Sequence, residues 1–184
     1  MTNLEAIPAR GKGGSIHVVV ETSRGMNAKC KYNAGLGAFT YGRPLRAGLS
    51  YPFDWGFIPG TAGADGDPLD AMVLHSAACP PGTVIRCKVM GVLNIAQTEN
   101  RATQRNDRFI LQPVTAVADD PYTLNRAMKA KLEQFFSDAV VLTEKKLKFL
   151  GWHGPAAALK AIATGERHWA ALHAKASRGA ARPR

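Results

Sequence analysis

No apolar run in this sequence approaches the ~20 residues a helix needs to cross a bilayer, so a membrane-spanning helix is excluded. The first stretch, "MTNLEAIPARGKGG", lacks the apolar core of a secretory signal. Cysteine is scarce. Cys30, Cys79 and Cys87 form an odd set without metal-type spacing, and they read as free thiols in a reducing cytoplasm. Neither a repeat nor a low-complexity linker divides the chain. Acids are also in short supply: 14 Asp and Glu stand against 24 Lys and Arg, a formal net charge of +10. That sign suits polyanions such as nucleic acid, phosphorylated metabolites or an anionic surface. Part of the excess is local, because the C-terminal segment holds Lys175, Arg178, Arg182 and Arg184 and no acid. Residues 175–184 read as a flexible basic tail, and residues 1–174 as a single domain.

What is present points to strands first and helices last. "SIHVVVE", 15–21, alternates and is rich in β-branched residues, as a strand should be. "GAFTY", 37–41, and "DAMVL", 70–74, are two more. "CPPG", 79–82, is a turn, followed by a long strand over 83–95 with Gly91 as a bulge position. "RFILQPV", 108–114, ends the set. Asp120 is a candidate N-cap and Pro121 a good first helical residue, with Leu124, Met128, Leu132 and Phe135 at helical spacing to about Asp138. A second helix starts near Pro155 and runs through Leu159, Ile162, Trp169 and Leu172, with Gly165 weakening its middle. "EKKLK", 144–148, reads as a solvated charge cluster. This order predicts an α+β fold: a small closed or partly open barrel with helices packed outside.

The stretch with the sharpest chemistry is "GADGDPLDAM", 63–72. Asp65, Asp67 and Asp70 fall within six positions, and Gly66 and Pro68 exclude a helix through them. Asp65 and Asp67 share a face of an extended chain. Three carboxylates brought together this way need a counter-cation or a fully solvated turn. Mg²⁺ is the natural cation, being hard and partial to carboxylates, water and phosphate oxygens. A calcium-binding hand is excluded, because its sixth place needs Gly and its twelfth an acid. Counted from Asp65, those places hold Asp70 and Ser76. Upstream stand Lys29, Lys31, Arg43 and Arg46 and the aromatic group Tyr51, Phe53, Trp55 and Phe57. Carboxylates that hold metal, with cations nearby, are the equipment for hydrolysing a phosphoanhydride.

These segments resemble the family I soluble inorganic pyrophosphatases. "DGDPLDAMVL", "YPFDWGFIPGT" at 51–61 and "PPGTVIRCKVMGVL" at 80–93 carry the resemblance, and "HVVVE", "LEQFF" and "GW" at 151–152 extend it. The resemblance implies a five-stranded OB-like closed β-barrel with two main α-helices packed outside. It implies Mg²⁺-dependent hydrolysis of pyrophosphate to two phosphates, with Mn²⁺ as an alternative ion, in a cytoplasmic homo-oligomer, commonly a hexamer. Carried over by position, Asp67 is the general base. Asp65, Asp70, Asp67 and Glu21 are metal ligands. Lys29, Arg43, Tyr51 and Arg108 bind substrate.

The resemblance also marks departures. Lys31 stands where the family has a glutamate, or Asn33 does in a slipped register. Trp55 replaces a tyrosine. Gln97 and Asn106 replace metal-binding aspartates, with Asp107 adjacent to the second. Arg108 replaces a lysine, and Ala139 and Val140 replace a Tyr-Lys pair. These changes leave a second reading open: an impaired relative that binds a phosphorylated ligand or serves as a structural or regulatory partner. A third reading, nucleic-acid binding by an OB-like barrel with Phe53 and Trp55, is disfavoured because the family pattern already accounts for those aromatics.

Overall fold

A computed structural model describes residues 3–115 and 122–180 of the chain, with side chains as far as residue 174. Strands come first in the order β1 (Ile16–Thr22), β2 (Ala28–Asn33), β3 (Ala38–Pro44), β4 (Asp54–Ile58) and β5 (Leu69–Val73). Then follow β6 (Val84–Glu99), β7 (Ala102–Arg105), β8 (Arg108–Pro113), helix α1 (Arg126–Ala139), β9 (Lys146–His153) and helix α2 (Pro155–Ala180). The fold is a mostly-sheet α+β arrangement with two helices. Among the described residues no helix is long and apolar enough to cross a membrane.

The main sheet follows the order β1-β4-β5-β8-β6, and β6 pairs again with β1, so the ladder path returns to its start. Only the β5–β8 contact in this path is parallel. β6 is long enough to serve several partners, and β7 and β9 join its far end. Its pairing with β8 shifts register between Val89 and Gly91, where the sequence marks a bulge. β2 and β3 form a separate hairpin.

Strands β5 and β8 are buried on both faces. Ala71, Val73, Phe109 and Leu111 enter one apolar cluster, which Ala158 and Ile162 of α2 complete. Met72, Leu74 and Ile110 enter another with Leu132, Phe135 and Phe136 of α1. Period-2 alternation thus sends neighbouring residues to opposite clusters, which is why "DAMVL" reads as an unbroken apolar run. The two helices cover opposite faces of these strands.

Helix α1 starts later than the sequence suggests. Asp120 and Pro121 lie outside the described residues, but residues 122–125 are not helical. The cap is Asn125, whose side chain accepts the Met128 backbone N–H at 2.9 Å. An amide oxygen aimed at that position satisfies one of the orphan donors of the first turn. Helix α2 passes through Gly165 without a break and runs to Ala180, into the segment read as a tail. Gly165 has a packing reason. A Cβ there would lie 2.8 Å from Leu69 Cδ1 and 3.3 Å from Thr61 Cβ, and the Gly165 carbonyl accepts the Ala62 N–H at 3.0 Å. Its bare backbone therefore lets α2 press on the segment that carries the acidic turn.

The stretch read as a charge cluster is a strand. In β9, Lys146 and Lys148 are exposed while Leu147 and Phe149 turn inward. Alternate lysines on the wet side of a half-buried strand look like a charge run in sequence.

Candidate active site

The acidic turn is held at both ends by Thr61. Its hydroxyl donates to the Ile58 carbonyl at 2.6 Å and accepts the Leu69 N–H at 3.1 Å. Within the turn, Gly63 N–H meets the Asp67 carbonyl at 2.8 Å, and Gly66 adopts φ +85°, which a side chain would resist. Asp65 accepts the Asp67 N–H at 3.2 Å. Asp70, the second residue of β5, then stands opposite Phe57 of β4.

The three aspartates line one polar cavity of about 320 Å³. Glu21 reaches it from β1, Lys29 and Lys31 from β2, and Arg43 from β3. Gln97 and Glu99 come from β6, Arg108 from the start of β8, and Val140 from the residue after α1. Tyr51 lines a smaller adjoining cavity of about 40 Å³ with Lys29, Arg43, Trp55, Arg108 and Val140. That volume suits about one water molecule.

Lys31, Arg43, Arg108 and Lys145 do not stand free. Lys31 Nζ lies 2.6 Å from Asp67 Oδ2. Arg108 donates to the carboxylate of Asp70 and to the amide oxygen of Asn106, and at 3.4 Å to Gln97 Oε1. Asn106 donates in turn to Gln97 Oε1 at 3.3 Å. Lys145 pairs with Glu99 at 3.1 Å. The Arg43 guanidinium donates to the Ala139 carbonyl at 2.5 Å.

Burial sets the protonation of the deeper groups. Glu21 is buried, and desolvation pushes its carboxyl up to about 7 despite the Tyr32 N–H it accepts at 2.7 Å. Burial likewise lowers the Lys29 ammonium and raises the Tyr51 phenol. Burial and the neighbouring charge of Asp67 raise Asp65.

Asp107 does not line this cavity. It accepts the Ile95 N–H at 2.9 Å and pairs with Arg105 at 2.9 Å. Asn106 is the residue that faces the site, with Gln97. Lys145 and Glu99 join the rim, and the signal for Glu99 is its two-residue offset from Gln97 on one strand face. Sequence reasoning also missed a buried polar group. The Asp54 carboxylate accepts the N–H of Arg24 at 2.7 Å and of Cys79 at 2.9 Å, and meets His75 Nε2 at 2.9 Å. Ligand atoms of Asp54, His75 and Cys79 lie within 4.8 Å of one another, but the carboxylate is already satisfied by these donors.

Asp65, Asp67 and Asp70 offer the hard oxygen donors that a small divalent cation takes. Asp65 is unpaired with any cation among the described residues, whereas Asp67 and Asp70 each hold one. Gln97 and Asn106 contribute only neutral oxygens. This donor set fits a divalent ion.

Paired carboxylates and cations around one cavity suit a phosphate-bearing anion together with a divalent metal. The family model for inorganic pyrophosphatase matches residues 18–170. The inorganic pyrophosphatase of Thermus thermophilus is 32% identical over 171 residues, covering 88% of this chain and 95% of that protein. That of a Nostoc species is 35% identical over 159 residues, covering 82% and 89%. The crystal structure of the Thermus thermophilus inorganic pyrophosphatase superposes with a TM-score of 0.80 at 29% identity, over 91% of this chain and 99% of that one. The chain belongs to the inorganic pyrophosphatase family.

Proposed function

We propose that this protein hydrolyses inorganic pyrophosphate to two phosphates with Mg²⁺, Mn²⁺ being able to substitute. The observation that carries the reading is the meeting of Asp65, Asp67 and Asp70 with Lys29 and Arg43 in one cavity. Asp65, Asp70, Asp67 and Glu21 are the residues that would hold the ion. When bound, Mg²⁺ neutralises phosphate charge and makes water easier to deprotonate. Lys29, Arg43 and Arg108 hold phosphate oxygens, Arg43 as a two-pronged donor. Tyr51 donates a hydrogen bond to phosphate or to a neighbouring site group. Asp67 takes the proton of the attacking water. The water oxygen bonds to one phosphorus as the bridging P–O bond breaks, and the second phosphate leaves with the bridging oxygen. Phosphate release with Mg²⁺ tests this, comparing the protein with Asp67→Asn. Loss of a general base costs on the order of 10²–10⁴-fold in rate. Equal background rates for both proteins would remove the hydrolase reading.

A second reading has its own support. Asp67 and Asp70 are engaged by Lys31 and Arg108, and Ala139 and Val140 offer no side-chain phosphate donor. An impaired relative that binds a phosphorylated ligand, or serves as a structural or regulatory partner, fits those features and gives the equal-rates outcome. We further read the returning ladder as a closed five-stranded OB-like barrel, the protein as a cytoplasmic homohexamer, and residues 175–184 as a basic tail on a domain of residues 1–174. Sedimentation of the purified protein tests the assembly.

A further inference from the structure

Two carboxylates of the cavity are held by cations of the chain itself. Lys31 Nζ sits 2.6 Å from Asp67 Oδ2, and Arg108 donates to Asp70. The two pairs differ in setting. Lys31 and Asp67 are exposed at the mouth, whereas Arg108 is buried and also bound to Asn106 and Gln97. Lys29 and Arg43 line the same cavity, and neither forms an ion pair with a carboxylate among the described residues.

We propose that Lys31 and Arg108 are exchangeable counter-cations: a diphosphate anion binds first and without metal, takes these two cations from Asp67 and Asp70, and thereby creates the divalent-metal site. This rests on reading the cavity as a diphosphate site, and it concerns the order in which the site fills. A carboxylate bonded to an ammonium at 2.6 Å presents one oxygen fewer to a metal. A phosphate oxygen competes for the same ammonium. Once Lys31 and Arg108 turn to the anion, Asp67 and Asp70 lose their counter-charge beside Asp65. Three carboxylates then face each other without those two direct partners, and a divalent ion satisfies them. Cations and anion support each other's binding, so the coupling is reciprocal: metal tightens the anion by the same factor by which the anion tightens the metal. A site whose carboxylates stand free has the opposite order, because repulsion keeps the anion out until metal arrives. Lys31 reaches Asp67 from the β2–β3 hairpin, so its part of the exchange needs only rotation of an exposed side chain, whereas Arg108 must also give up its buried contacts with Asn106 and Gln97.

The test uses methylenediphosphonate, which carries the diphosphate charge without a cleavable bridging oxygen. Titration calorimetry on the full chain in chelator should give measurable binding that weakens as salt is added, since the mouth pair is exposed to screening. Magnesium should bind more tightly with the analogue present than without it. Lys31→Glu should weaken metal-free binding by about tenfold or more, and should tighten Mg²⁺ binding in the absence of analogue. Lys31→Gln, which adds no charge, should lose metal-free affinity in the same direction. No analogue binding in chelator, or equal affinity in the native protein and both variants, overturns the exchange. Phosphate release from pyrophosphate is measured separately. Activity without metal-free binding sinks the exchange and leaves the hydrolase reading standing. Metal-free binding without phosphate release does the reverse.

Discussion

Asn106 and Asp107 are neighbours in the chain and serve different parts of the molecule. The Asn106 amide oxygen accepts from Arg108 and lines the polar cavity. The Asp107 carboxylate accepts the Ile95 N–H and pairs with Arg105. One residue is therefore placed to tune the site, and the other fastens β6 to the segment between β7 and β8.

Exchanging charge at these two positions should separate the roles. Asn106→Asp adds a carboxylate beside Gln97 and Asp70, and it should tighten divalent binding by about tenfold, since ligand charge sets affinity in such sites. Asp107→Asn should leave the metal titration unchanged. It should lower stability by about 1 kcal/mol through a weakened hydrogen bond to Ile95 N–H. Calorimetric titration with Mg²⁺ and thermal melts of both variants check this. A metal affinity that responds to Asp107 and ignores Asn106 would reverse the assignment.

The Asp54–His75 pair gives a pH prediction. Burial alone would raise the Asp54 carboxyl, but hydrogen bonds from His75, Arg24 N–H and Cys79 N–H outweigh it and hold it below its ordinary 3.8. A carboxyl depressed in the folded protein stabilises the fold above its unfolded value. That stability is lost as pH falls through 3.8 toward the lower folded value. Melting temperature measured from neutral pH down to about pH 3 should therefore drop steeply at the acid end. Asp54→Asn should melt lower at neutral pH and show a shallower acid slope. An acid slope that Asp54→Asn leaves unchanged would assign it to other groups.

The readable parts of the fold are those where local chemistry and tertiary environment agree. β1, β5 and β8 combine β-branched or apolar residues with flanking turns, and Gly66 and Pro68 break any helix through the acidic turn. β9 was hidden because its outward lysines resemble solvated charge, and only pairing with β6 shows that Leu147 and Phe149 face inward. The start of α1 went to the wrong residue because Asp-Pro is a strong local signal, while Asn125 wins by capping Met128. Within the site, the sequence left the register between Gln97 and Arg108 open, and the contacts of Gln97 and Asn106 with Arg108 set it in the fold. The contact between Lys31 and Asp67 was not legible, because 36 residues separate them and the hairpin must fold over the turn to join them. The Asp54, His75 and Cys79 group left no sequence signal, because its three members come from a strand and a loop with no shared period.

Trp55 offers a direct view of Arg108. The Arg108 guanidinium lies over the Trp55 ring at 5.4 Å, a cation–π geometry. Trp55 is buried, and its indole N–H has no hydrogen-bond partner among the described residues. The other two tryptophans are occupied elsewhere: Trp152 donates to Glu133 at 2.6 Å, and Trp169 packs on His173 along α2. If Arg108 moves toward a diphosphate, the charge over the Trp55 ring moves with it, and indole emission responds to a nearby charge. Methylenediphosphonate added in chelator should thus change tryptophan fluorescence, with a midpoint matching the calorimetric affinity. Trp55→Phe should abolish the change while Trp152→Phe keeps it. A signal that survives Trp55→Phe, or calorimetric binding with no change in emission, means that Arg108 stays on Asp70 when the anion binds, and the exchange would then be confined to Lys31 at the mouth.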